Sequence, residues 1–450
     1  MSKNNEATRR NFMSTSSALT TAILAQQVLS SSVHAEGKDI VKVALVGCGG
    51  RGTGAASQIL KAHPSVKLWA MGDLFSDRLE SSLDLLQKGV GKRYDREAYK
   101  GQASSIDVPP ERRFNGFDAY QKAIDSGVDA VILATTPLFR PLHLTYAVAK
   151  NVNAFIEKPV AVDAPGVRTI LEASKEAARK KVIIASGYQR FHNPVYQEAI
   201  ERIHNGEIGK LSHIKTYFNH GATWHIERKP EWSEMEFQMR NWQHFGWTSG
   251  DHTCDQQAHS FQVAYWLMGK PPVSAVGMGG RQVCKGQKYG NIYDHFATEF
   301  TYDDGVQLFA QDRQIDGCKT DMSEWIHGLE GMCEIRQYRG ATMTGKNQWR
   351  KRDRGHNAYQ IEHNVFIDAI RNNKYYNEGE MAGYSTMMSV MARMACYSGV
   401  EVKWDEALAS NHRLGPIDCT WNTKPPLTPG KDGTYEHLVP VPGVYNPYKG

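Results

Sequence analysis

Hydrophobic stretches alternate with helical stretches through the first part of the chain. Strands of mainly aliphatic residues are predicted at 39–46, 66–72, 129–134, 153–156 and 181–186. Between them, apolar residues recur with helical spacing over 53–62, 117–126, 141–150 and 164–180. Such repetition is typical of a parallel, doubly wound α/β sheet. Residues 84–116 interrupt it with a polar, turn-rich stretch, for which we predict a loop with a short helix.

After Gly187 the pattern changes to a series of strands. A helix is predicted over 193–205, and strands follow at 211–219, 273–283, 295–302, 306–314 and 324–335. Asp303-Asp304-Gly305 joins two of them as a hairpin. Two further helices are predicted over 358–372 and 385–398. The pattern indicates a second, α+β domain with a largely antiparallel open sheet.

The first residues fit neither domain and resemble a targeting segment. Thr8-Arg9-Arg10-Asn11-Phe12-Met13 is similar to the twin-arginine export signal. A weakly apolar run over 18–29 and the small-x-small sequence Val33-His34-Ala35 follow it. The run is too short and too polar to span a membrane permanently. We predict export to the periplasm by the twin-arginine route; the alternative is a disordered basic tail.

Composition restricts the class of protein. The chain has 450 residues, 41% hydrophobic and 22% charged, as in ordinary globular proteins long enough for two domains. The formal net charge of +5 is small for this length, and the sequence has no basic block of the kind that binds nucleic acid. The seven cysteines contain no CxxC pair, which argues against a disulfide framework and a structural zinc site.

A glycine-rich turn follows the first strand. Gly47-Cys48-Gly49-Gly50-Arg51-Gly52 has GxGxxG spacing, which lets the backbone approach a pyrophosphate at a helix N-terminus. A purely structural glycine turn is the alternative. Asp73, at the end of the second strand, would bind the adenosine ribose and repel a 2′-phosphate, which favours NAD. Arg78, close by in sequence, keeps NADP as the alternative.

A second chemical feature follows the strand at 153–156. Glu157, Lys158 and Pro159 come directly after it, and open α/β sheets bind ligands at the carboxyl ends of their strands. Because Pro159 ends the strand ladder and stiffens the turn, the ammonium group would be directed towards a ligand. A surface lysine at a strand end is the alternative. Thr135-Thr136-Pro137 marks the same end of the preceding strand.

Candidate acid–base residues lie in the stretch 249–266, which we predict to be helical. On one continuous helix Asp251, Asp255 and His259 would share a face. A buried Asp beside a His can fix its tautomer and raise its basicity, as a general base requires. The alternative is an acidic helix N-terminus with one satisfied histidine. A metal site of Asp255, His252 and His259 is disfavoured, because no cysteine or further carboxylate converges there.

Four tryptophans precede this stretch, namely Trp224, Trp232, Trp242 and Trp247. Such a cluster suits a cleft in which a sugar stacks on aromatic rings, although tryptophan is at least as common in cores and interfaces. We take Trp224, Trp242 and His252 as candidate substrate-binding residues.

The order and spacing of these motifs resemble the glucose–fructose oxidoreductase / inositol dehydrogenase / MocA (Gfo/Idh/MocA) family. The resemblance covers about residues 40–410 and rests on the glycine turn, Asp73, Thr135-Thr136-Pro137, Glu157-Lys158-Pro159 and Asp255-x-x-x-His259. The tryptophan-rich stretch is similar to an exported subgroup of oxidoreductases. The commoner family pattern is Asp-x-Gly-x-His-x-x-Asp. Here Gln257 replaces the Gly and Gln262 the final Asp, which leaves the substrate and the role of Gln262 open.

The resemblance implies roles for individual residues. Lys158 would hydrogen-bond the reacting hydroxyl, and His259, supported by Asp255, would take its proton. Tyr188 and Arg190 would lie near the substrate at the domain junction. The cofactor-binding residues would be Gly47, Gly49, Gly50, Arg51, Gly52, Asp73, Arg78, Thr135, Thr136, Pro137, Glu157 and Lys158. Family analogy also favours a homo-oligomer, a dimer or tetramer.

Three functions remain in view. The first is an NAD(P)-dependent oxidoreductase that transfers hydride between a secondary hydroxyl of a sugar, cyclitol or glycoside and a tightly held nicotinamide cofactor. An exported enzyme would have to keep and regenerate its cofactor, because the periplasm has no comparable pool of it. The second is an NAD-dependent glycoside hydrolase that works by transient oxidation and elimination. The third, a non-catalytic sugar-binding protein, is disfavoured because it would not need Lys158, Asp255 and His259 together.

These patterns predict four segments. Residues 1–35 would form the signal peptide, and residues 38–187 an NAD(P)-binding Rossmann domain. Residues 188–415 would form the α+β substrate and oligomerisation domain. Residues 416–450, rich in Pro and Gly, would lie over the surface as a tail.

Overall fold

The computed structural model describes residues 40–88 and 105–449. The predicted signal peptide lies outside the described residues, as does the middle of the predicted loop 84–116. Within the two described ranges, no helix is both long and apolar enough to cross a bilayer.

Six parallel strands form the first sheet, in the order β3-β2-β1-β4-β5-β6. They are β1 Val41–Val46, β2 Val66–Asp73, β3 Arg113–Asn115, β4 Ala130–Leu133, β5 Asn153–Ile156 and β6 Ile184–Ser186. The strand order reverses between β1 and β4, and ligands of such sheets bind at the carboxyl ends beside this reversal. The predicted doubly wound sheet is confirmed.

Five helices cover this sheet. They are α1 Gly50–Ala62, α2 Ser76–Lys88, α3 Ala119–Ile124, α4 Arg140–Ala149 and α5 Ala164–Lys180. The prediction missed most of α2 and all of β3. In α2 the apolar stripe of Leu79, Leu83 and Leu86 is diluted by serine and aspartate, and β3 is a three-residue edge strand with one apolar side chain.

Nine strands form the second sheet, in the order β14-β13-β12-β11-β7-β10-β9-β8-β15. They are β7 Leu211–His220, β8 Ser274–Gly280, β9 His295–Thr301, β10 Gln307–Gln314, β11 Asp321–Gly328, β12 Gly331–Arg336, β13 Gly340–Gly345, β14 Trp349–Arg352 and β15 Val402–Lys403. β7 and β10 are parallel, and the other neighbours are antiparallel. The predicted, largely antiparallel second sheet is therefore confirmed.

One strand prediction is wrong. The stretch 324–335 is not a single strand but the hairpin of β11 and β12. Gly328 and Gly331 flank its turn, and at both positions a Cβ atom would meet backbone oxygen, 2.1 Å from Ile208 O and 2.3 Å from Thr344 O. Those two glycines are the sequence signal that the strand prediction overlooked. The short strands β13, β14 and β15 were not predicted either.

Eight helices accompany the second sheet in the described part of the chain. They are α6 Pro194–His204, α7 Glu234–Arg240, α8 Gly246–Ser249, α9 His252–Asp255, α10 Ala258–Met268, α11 Ala358–Arg371, α12 Gly379–Ser398 and α13 Trp404–Ala409. The prediction of one helix over 249–266 is wrong. Gly250 and Asp251 both have positive φ angles, 76° and 73°, and α9 and α10 are separate helices. Asp251 therefore does not share a helix face with Asp255 and His259.

Two C-terminal helices return to the first sheet. Phe366 and Ile367 of α11 share a buried apolar cluster with Val43 and Ile59, and Ala382 of α12 joins a second cluster beneath that sheet. Segments far apart in sequence thus complete the core of the nucleotide-binding half.

The C-terminal tail lies over the surface as a series of turns with buried anchors. Cys419 and Tyr435 are buried, and the ring of Trp421 lies 5.6 Å from Phe75 and 5.2 Å from Phe117. The tail thereby covers the region next to β2 and α3.

Candidate active site

At two positions of the turn between β1 and α1, only glycine fits, because a Cβ atom would clash with neighbouring backbone. Gly47 has a φ of 98°, and a Cβ there would lie 2.5 Å from the backbone of Ala134 and Thr135. At Gly52 a Cβ would lie 1.8 Å from the oxygen of Gly47. Gly50, by contrast, has no atom within 4 Å of a Cβ position. The turn is packed on the inside and open on the cavity side, as a dinucleotide cradle requires.

The N-terminus of α1 faces a large cavity. Gly49 caps this helix without a side-chain hydrogen bond, and the first turn contains no acidic residue. The cavity, of about 1260 Å³, begins at the glycine turn and ends at His220 and His259. Free backbone N–H groups at a helix N-terminus attract anions, so this end fits a pyrophosphate.

Arg51 ties the glycine turn to two other elements. Its Nε lies 2.8 Å from Oε1 of Glu157, and its guanidinium lies 4.9 Å from the ring centre of Tyr359 on α11. Glu157 is 2% exposed, and a Cβ at Gly187 would lie 2.6 Å from its Oε2. Glu157 therefore supports the cradle from behind.

Asp73, which we predicted to bind the adenosine ribose, accepts hydrogen bonds from two backbone N–H groups. Its Oδ2 accepts from the backbone N–H of Cys48 at 2.6 Å, and its Oδ1 accepts from Phe75 at 2.8 Å. Burial raises the pKa of this carboxyl, although both backbone donors oppose the shift. In this structure Asp73 holds the shape of the glycine turn.

Asp77 and Arg78 line the neighbouring cavity wall instead. Arg240, from α7 of the second half, forms two contacts with Asp77 at 3.0 and 3.1 Å, and its carbonyl accepts from Arg78 at 3.3 Å. Its guanidinium also lies 3.9 Å from the ring centre of Phe75. Sequence reasoning missed Asp77 and Arg240, because no local motif joins residues so far apart.

The Thr135-Thr136-Pro137 segment contacts the glycine turn from below. The backbone of Thr135 lies against Gly47, and its Oγ1 lies 3.1 Å from Nδ1 of His143. Burial, helped by Arg140, lowers the pKa of His143 to about 3. The segment therefore supports the cradle through a neutral, buried histidine.

Lys158 and Asp255 meet across the two halves of the molecule. The Lys158 ammonium donates to the Asp255 carbonyl and lies 3.6 Å from its Oδ1. Oδ2 of Asp255 accepts from Gln243 at 2.8 Å and Gln256 at 2.7 Å. The Lys158-Pro159 peptide is cis, and Arg140 donates to the Pro159 carbonyl at 2.5 Å. The contacts of the ammonium with the Asp255 carbonyl and carboxylate hold it at the end of β5.

His259 lines the cavity but is not bonded to Asp255. Within the described part of the chain, its Nδ1 is buried without a hydrogen-bond partner. Its ring stacks on Phe218 at 6.0 Å and meets the edge of Tyr188 at 6.2 Å. Burial, with Lys158 and Arg190 adding to it, lowers its pKa well below 6.5. His259 is therefore neutral at pH 7, and Asp255 supports Lys158 instead.

Tyr188 and Arg190 are held in the core beneath the site. The Tyr188 hydroxyl lies 3.2 Å from Oγ1 of Thr386, and the residue is fully buried. Arg190 reaches the cavity wall but donates to Ser260 at 3.0 Å, to Gln337 at 2.9 Å and to Glu324. The Tyr188 hydroxyl and both terminal nitrogens of the Arg190 guanidinium are thus already paired within the protein.

The tryptophans do not form one platform. Trp224 is 45% exposed and packs edge-on against Trp242 at 6.1 Å, whereas Trp247 is buried and donates to Gln238 at 2.7 Å. Of the four, Trp232 lines the cavity, at the end where Arg240 lies. Trp224, Trp242 and Trp247 do not line this cavity.

His252 is 2% exposed and lies behind the cavity wall. Its Nδ1 lies 2.7 Å from Oδ2 of Asp312, and its Nε2 lies 3.0 Å from Nε2 of His220. His220, which sequence reasoning missed, is the member of this group that lines the cavity. In residues 40–88 and 105–449, no three His, Cys, Asp or Glu side chains are grouped to hold a metal ion.

The chain combines a doubly wound parallel sheet with a second, largely antiparallel sheet, and the cavity runs from the glycine turn to residues of the second sheet. Residues 196–334 match the GFO/IDH/MocA C-terminal domain. The chain is 25% identical over 350 residues to scyllo-inositol 2-dehydrogenase (NAD(+)) of Bacillus subtilis. This alignment covers 74% of this chain and 87% of that protein. The domain match and these relatives make the chain similar to the Gfo/Idh/MocA family, in agreement with the motif resemblance.

Solved structures share the whole fold. Scyllo-inositol dehydrogenase from Lactobacillus casei, with bound NAD(H) and scyllo-inositol, aligns with a TM-score of 0.60 at 19% identity, over 81% of this chain and 99% of that one. Aldose-aldose oxidoreductase from Caulobacter crescentus, complexed with glycerol, aligns with a TM-score of 0.60 at 16% identity, over 81% and 99%. These likenesses confirm the arrangement of the two sheets.

Proposed function

We propose that the protein is an NAD-dependent oxidoreductase that acts on a secondary hydroxyl of a cyclitol or related sugar and holds its cofactor tightly. The observation that carries this proposal is the continuous cavity. It joins an anion-binding glycine turn at one end to His259 at the other, and the ammonium of Lys158, paired with Asp255, lies close enough to His259 to lower its pKa. The relative from Bacillus subtilis, named an NAD(+)-dependent scyllo-inositol dehydrogenase, supports the cofactor and the substrate class.

The residues present fit a nicotinamide dinucleotide. Gly49, Gly50 and the N-terminus of α1 would hold the pyrophosphate, and Asp77 and Arg78 lie where the adenosine half would extend. The bound cofactor supplies a hydride acceptor and donor. Arg240 closes the adenosine end from the opposite half of the molecule, which favours slow release.

At the reaction end, each residue has a distinct task. Lys158, fixed by Asp255, donates a hydrogen bond to the reacting oxygen and stabilises negative charge on it. His259 is neutral, so its ring can accept the hydroxyl proton in oxidation and return it in reduction. Gln243 and Gln256 hold the Asp255 carboxylate, which keeps the ammonium at the site.

The test has two parts. Native mass spectrometry of the purified protein should detect bound NAD(H), and adding scyllo-inositol, myo-inositol or an aldose should change the nicotinamide absorbance. Lys158→Ala should lower the rate of that change by roughly 10²–10⁴-fold and retain the cofactor. Lys150→Ala, at an exposed lysine paired with Asp125, is the matched control. No absorbance change with any polyol in a broad panel, despite bound NAD, would contradict the proposal.

The glycoside hydrolase alternative receives no support from the relatives described, which are named as dehydrogenases and oxidoreductases. We therefore expect no phenol release from aryl glycosides by the NAD-loaded protein. Phenol release from such substrates would return hydrolysis to consideration.

We also propose that residues 1–35 direct twin-arginine export. The motif around Arg9 and Arg10 supports this. Changing both to Lys should retain the full-length protein in the cytoplasm, whereas secretion of that variant would contradict it.

A homo-oligomer is proposed through the outer face of the second sheet, where Met278 is 74% exposed and Val276 45%. Light scattering of the purified protein would test it.

A further inference from the structure

An exposed tyrosine lies on the cavity wall, at the tip of a hairpin of the second sheet. Residues 337–339 connect β12 to β13, and the hairpin closes where Arg336 pairs with Gly340. Tyr338, in the middle of this connection, lines the cavity and is 68% exposed. Among the exposed large hydrophobic side chains of the described residues, it is the one that lines the cavity.

Tyr338 has a backbone conformation that tyrosine rarely adopts. Its φ angle is 62°, in the left-handed region where glycine or asparagine is normally found. A bulky side chain in this region is strained, and such residues cluster at ligand-binding sites. The ring also contributes little to packing, because most of its surface is exposed. The fold by itself gains little from a tyrosine at this position, which points to a use in ligand binding.

A continuous series of contacts connects Tyr338 to the reaction end of the cavity. The ring of His259 stacks on Phe218 at 6.0 Å, and the guanidinium of Arg190 lies 5.7 Å from the centre of the Phe218 ring. Arg190 donates to Oε1 of Gln337 at 2.9 Å, and Tyr338 is the next residue. All five residues line the cavity. A ligand that reacts at His259 and extends along this wall therefore meets the Tyr338 ring.

Planar polar side chains lie beside the hairpin tip. The backbone N–H of Asp353 donates to the Arg339 carbonyl at 3.1 Å, which places Asp353 next to the tip. Its Oδ2 accepts from Nδ2 of Asn193 at 3.3 Å, and Asp353, Asn193 and His356 all line the cavity. An aromatic face next to carboxylate, amide and imidazole groups suits a sugar ring, because the C–H face packs on the aromatic ring and the hydroxyls find hydrogen-bond partners.

The cavity has room for such a ligand beside a cofactor. Its volume of about 1260 Å³ exceeds the roughly 300–1,000 Å³ of a site for one small ligand. The glycine turn belongs to the first sheet and the Tyr338 hairpin to the second. A dinucleotide pyrophosphate and a substrate at Tyr338 would therefore use different walls.

We propose that Tyr338 is the platform of a second substrate subsite and that the substrate is a glycoside, in which the reacting sugar or cyclitol carries a second ring. The inference rests on the proposed oxidoreductase function and narrows its substrate class. The reacting ring meets Lys158 and His259, and the second ring lies on Tyr338 with its hydroxyls towards Asn193 and Asp353. A free cyclitol leaves this platform uncovered.

The kinetic test compares one-ring and two-ring substrates on the NAD-loaded protein. The one-ring set is scyllo-inositol, myo-inositol and glucose, and the two-ring set is galactinol, cellobiose and maltose. The best two-ring substrate should have a kcat/KM about tenfold above that of the best one-ring substrate. Tyr338→Asn removes the ring but tolerates the positive φ angle. It should abolish this advantage through KM, with one-ring kinetics and bound NAD unchanged, whereas Tyr338→Phe should keep the advantage.

Tyr375→Asn is the matched control, because Tyr375 is 37% exposed, lies 5.0 Å from Nζ of Lys181 and does not line the cavity. Equal kcat/KM values for the two sets in wild type, or an equal loss for both sets in Tyr338→Asn, would overturn the proposal. Loss of bound NAD from Tyr338→Asn would also overturn it, because the ring would then serve the cofactor.

Two further measurements do not depend on turnover. Saturation-transfer NMR with the NAD-loaded protein should show contact with both rings of a two-ring ligand, and Tyr338→Asn should lose the contact with the second ring. The same variant should unfold at a temperature at least as high as wild type, because its backbone strain is relieved. A fall of more than about 4 °C would show that the fold needs the ring and would overturn the proposal.

The two proposals can fail separately. Saturation of the second ring without oxidation of any sugar contradicts the proposed oxidoreductase function and leaves the subsite in place. Oxidation of one-ring substrates with no saturation transfer to any of the three two-ring ligands overturns the subsite and leaves the oxidoreductase in place.

Discussion

The two ends of the cavity are built in different ways. At the cofactor end, backbone geometry makes the site: Gly47 and Gly52 permit contacts that a Cβ atom would block, and the N-terminus of α1 faces the cavity. At the substrate end, side chains make it: His220 and His259 line the cavity, and beside them Lys158 of the first half pairs with Asp255 of the second. The first kind of site is local in sequence, and the second exists only after the halves have packed.

The largest effect, on both stability and cofactor binding, is expected at Gly52, which packs directly against the backbone of Gly47. Gly52→Ala would place a Cβ 1.8 Å from the Gly47 oxygen, so the turn would have to move. We expect a loss of about 3 kcal/mol in unfolding free energy and loss of bound NAD. Thermal unfolding measures the loss of stability, and native mass spectrometry measures the loss of bound NAD.

Gly54→Ala is the matched control for that substitution. It lies two residues further along α1, and its nearest neighbour is the Arg51 side chain at 3.8 Å. Alanine there should preserve NAD and stabilise the helix by about 0.5–1 kcal/mol. Equal behaviour of the two variants would show that the cradle does not depend on close backbone packing.

A smaller effect, on the dissociation rate of NAD(H), is expected from Arg240, which contacts Asp77 at the adenosine end of the cavity. Arg240→Ala removes both contacts with Asp77 and the cation–π contact with Phe75. We expect bound NAD(H) to dissociate about 30-fold faster, which corresponds to about 2 kcal/mol. Arg228→Ala, which loses a pair with Glu234 in the same region, should release NAD(H) at the wild-type rate. Unchanged retention in Arg240→Ala would assign cofactor binding to the backbone cradle alone.

The smallest effect concerns acid stability. The pKa of His143 is about 3 in the folded protein and near 6.5 when unfolded, so below pH 6.5 the unfolded chain gains a proton that the folded one does not. Stability is therefore lost as pH falls. His143→Gln should reduce this loss by about 1.2 kcal/mol between pH 6 and pH 5. Urea unfolding at the two pH values measures it; an unchanged difference would mean that His143 is protonated in the fold.

This contrast explains what could be predicted from the sequence. The first sheet, the glycine turn and the Lys158 turn follow short-range patterns, and the structure contains all three. The single helix over 249–266 fails, because the apolar pattern does not show that Gly250 and Asp251 adopt positive φ angles.

The rest of the site depends on long-range packing. His220 and Asp312 lie on strands paired in the second sheet but 92 residues apart in the numbering, and His252 lies between them in sequence. Asp73 is a second example. Its place at the end of β2 predicts a ribose contact, and the structure shows that its carboxylate also accepts hydrogen bonds from the N–H groups of Cys48 and Phe75. Sequence spacing could indicate these residue types but could not assign their partners.

The return of α11 and α12 to the first sheet bears on how the chain folds during synthesis. Phe366 and Ile367 complete a core that begins at Val41, so a nascent chain that ends near residue 187 leaves that apolar surface uncovered. The nucleotide-binding half therefore has to wait for most of the polypeptide to leave the ribosome before its core closes. Cofactor capture would then be a late event, after nearly all of the chain has been made.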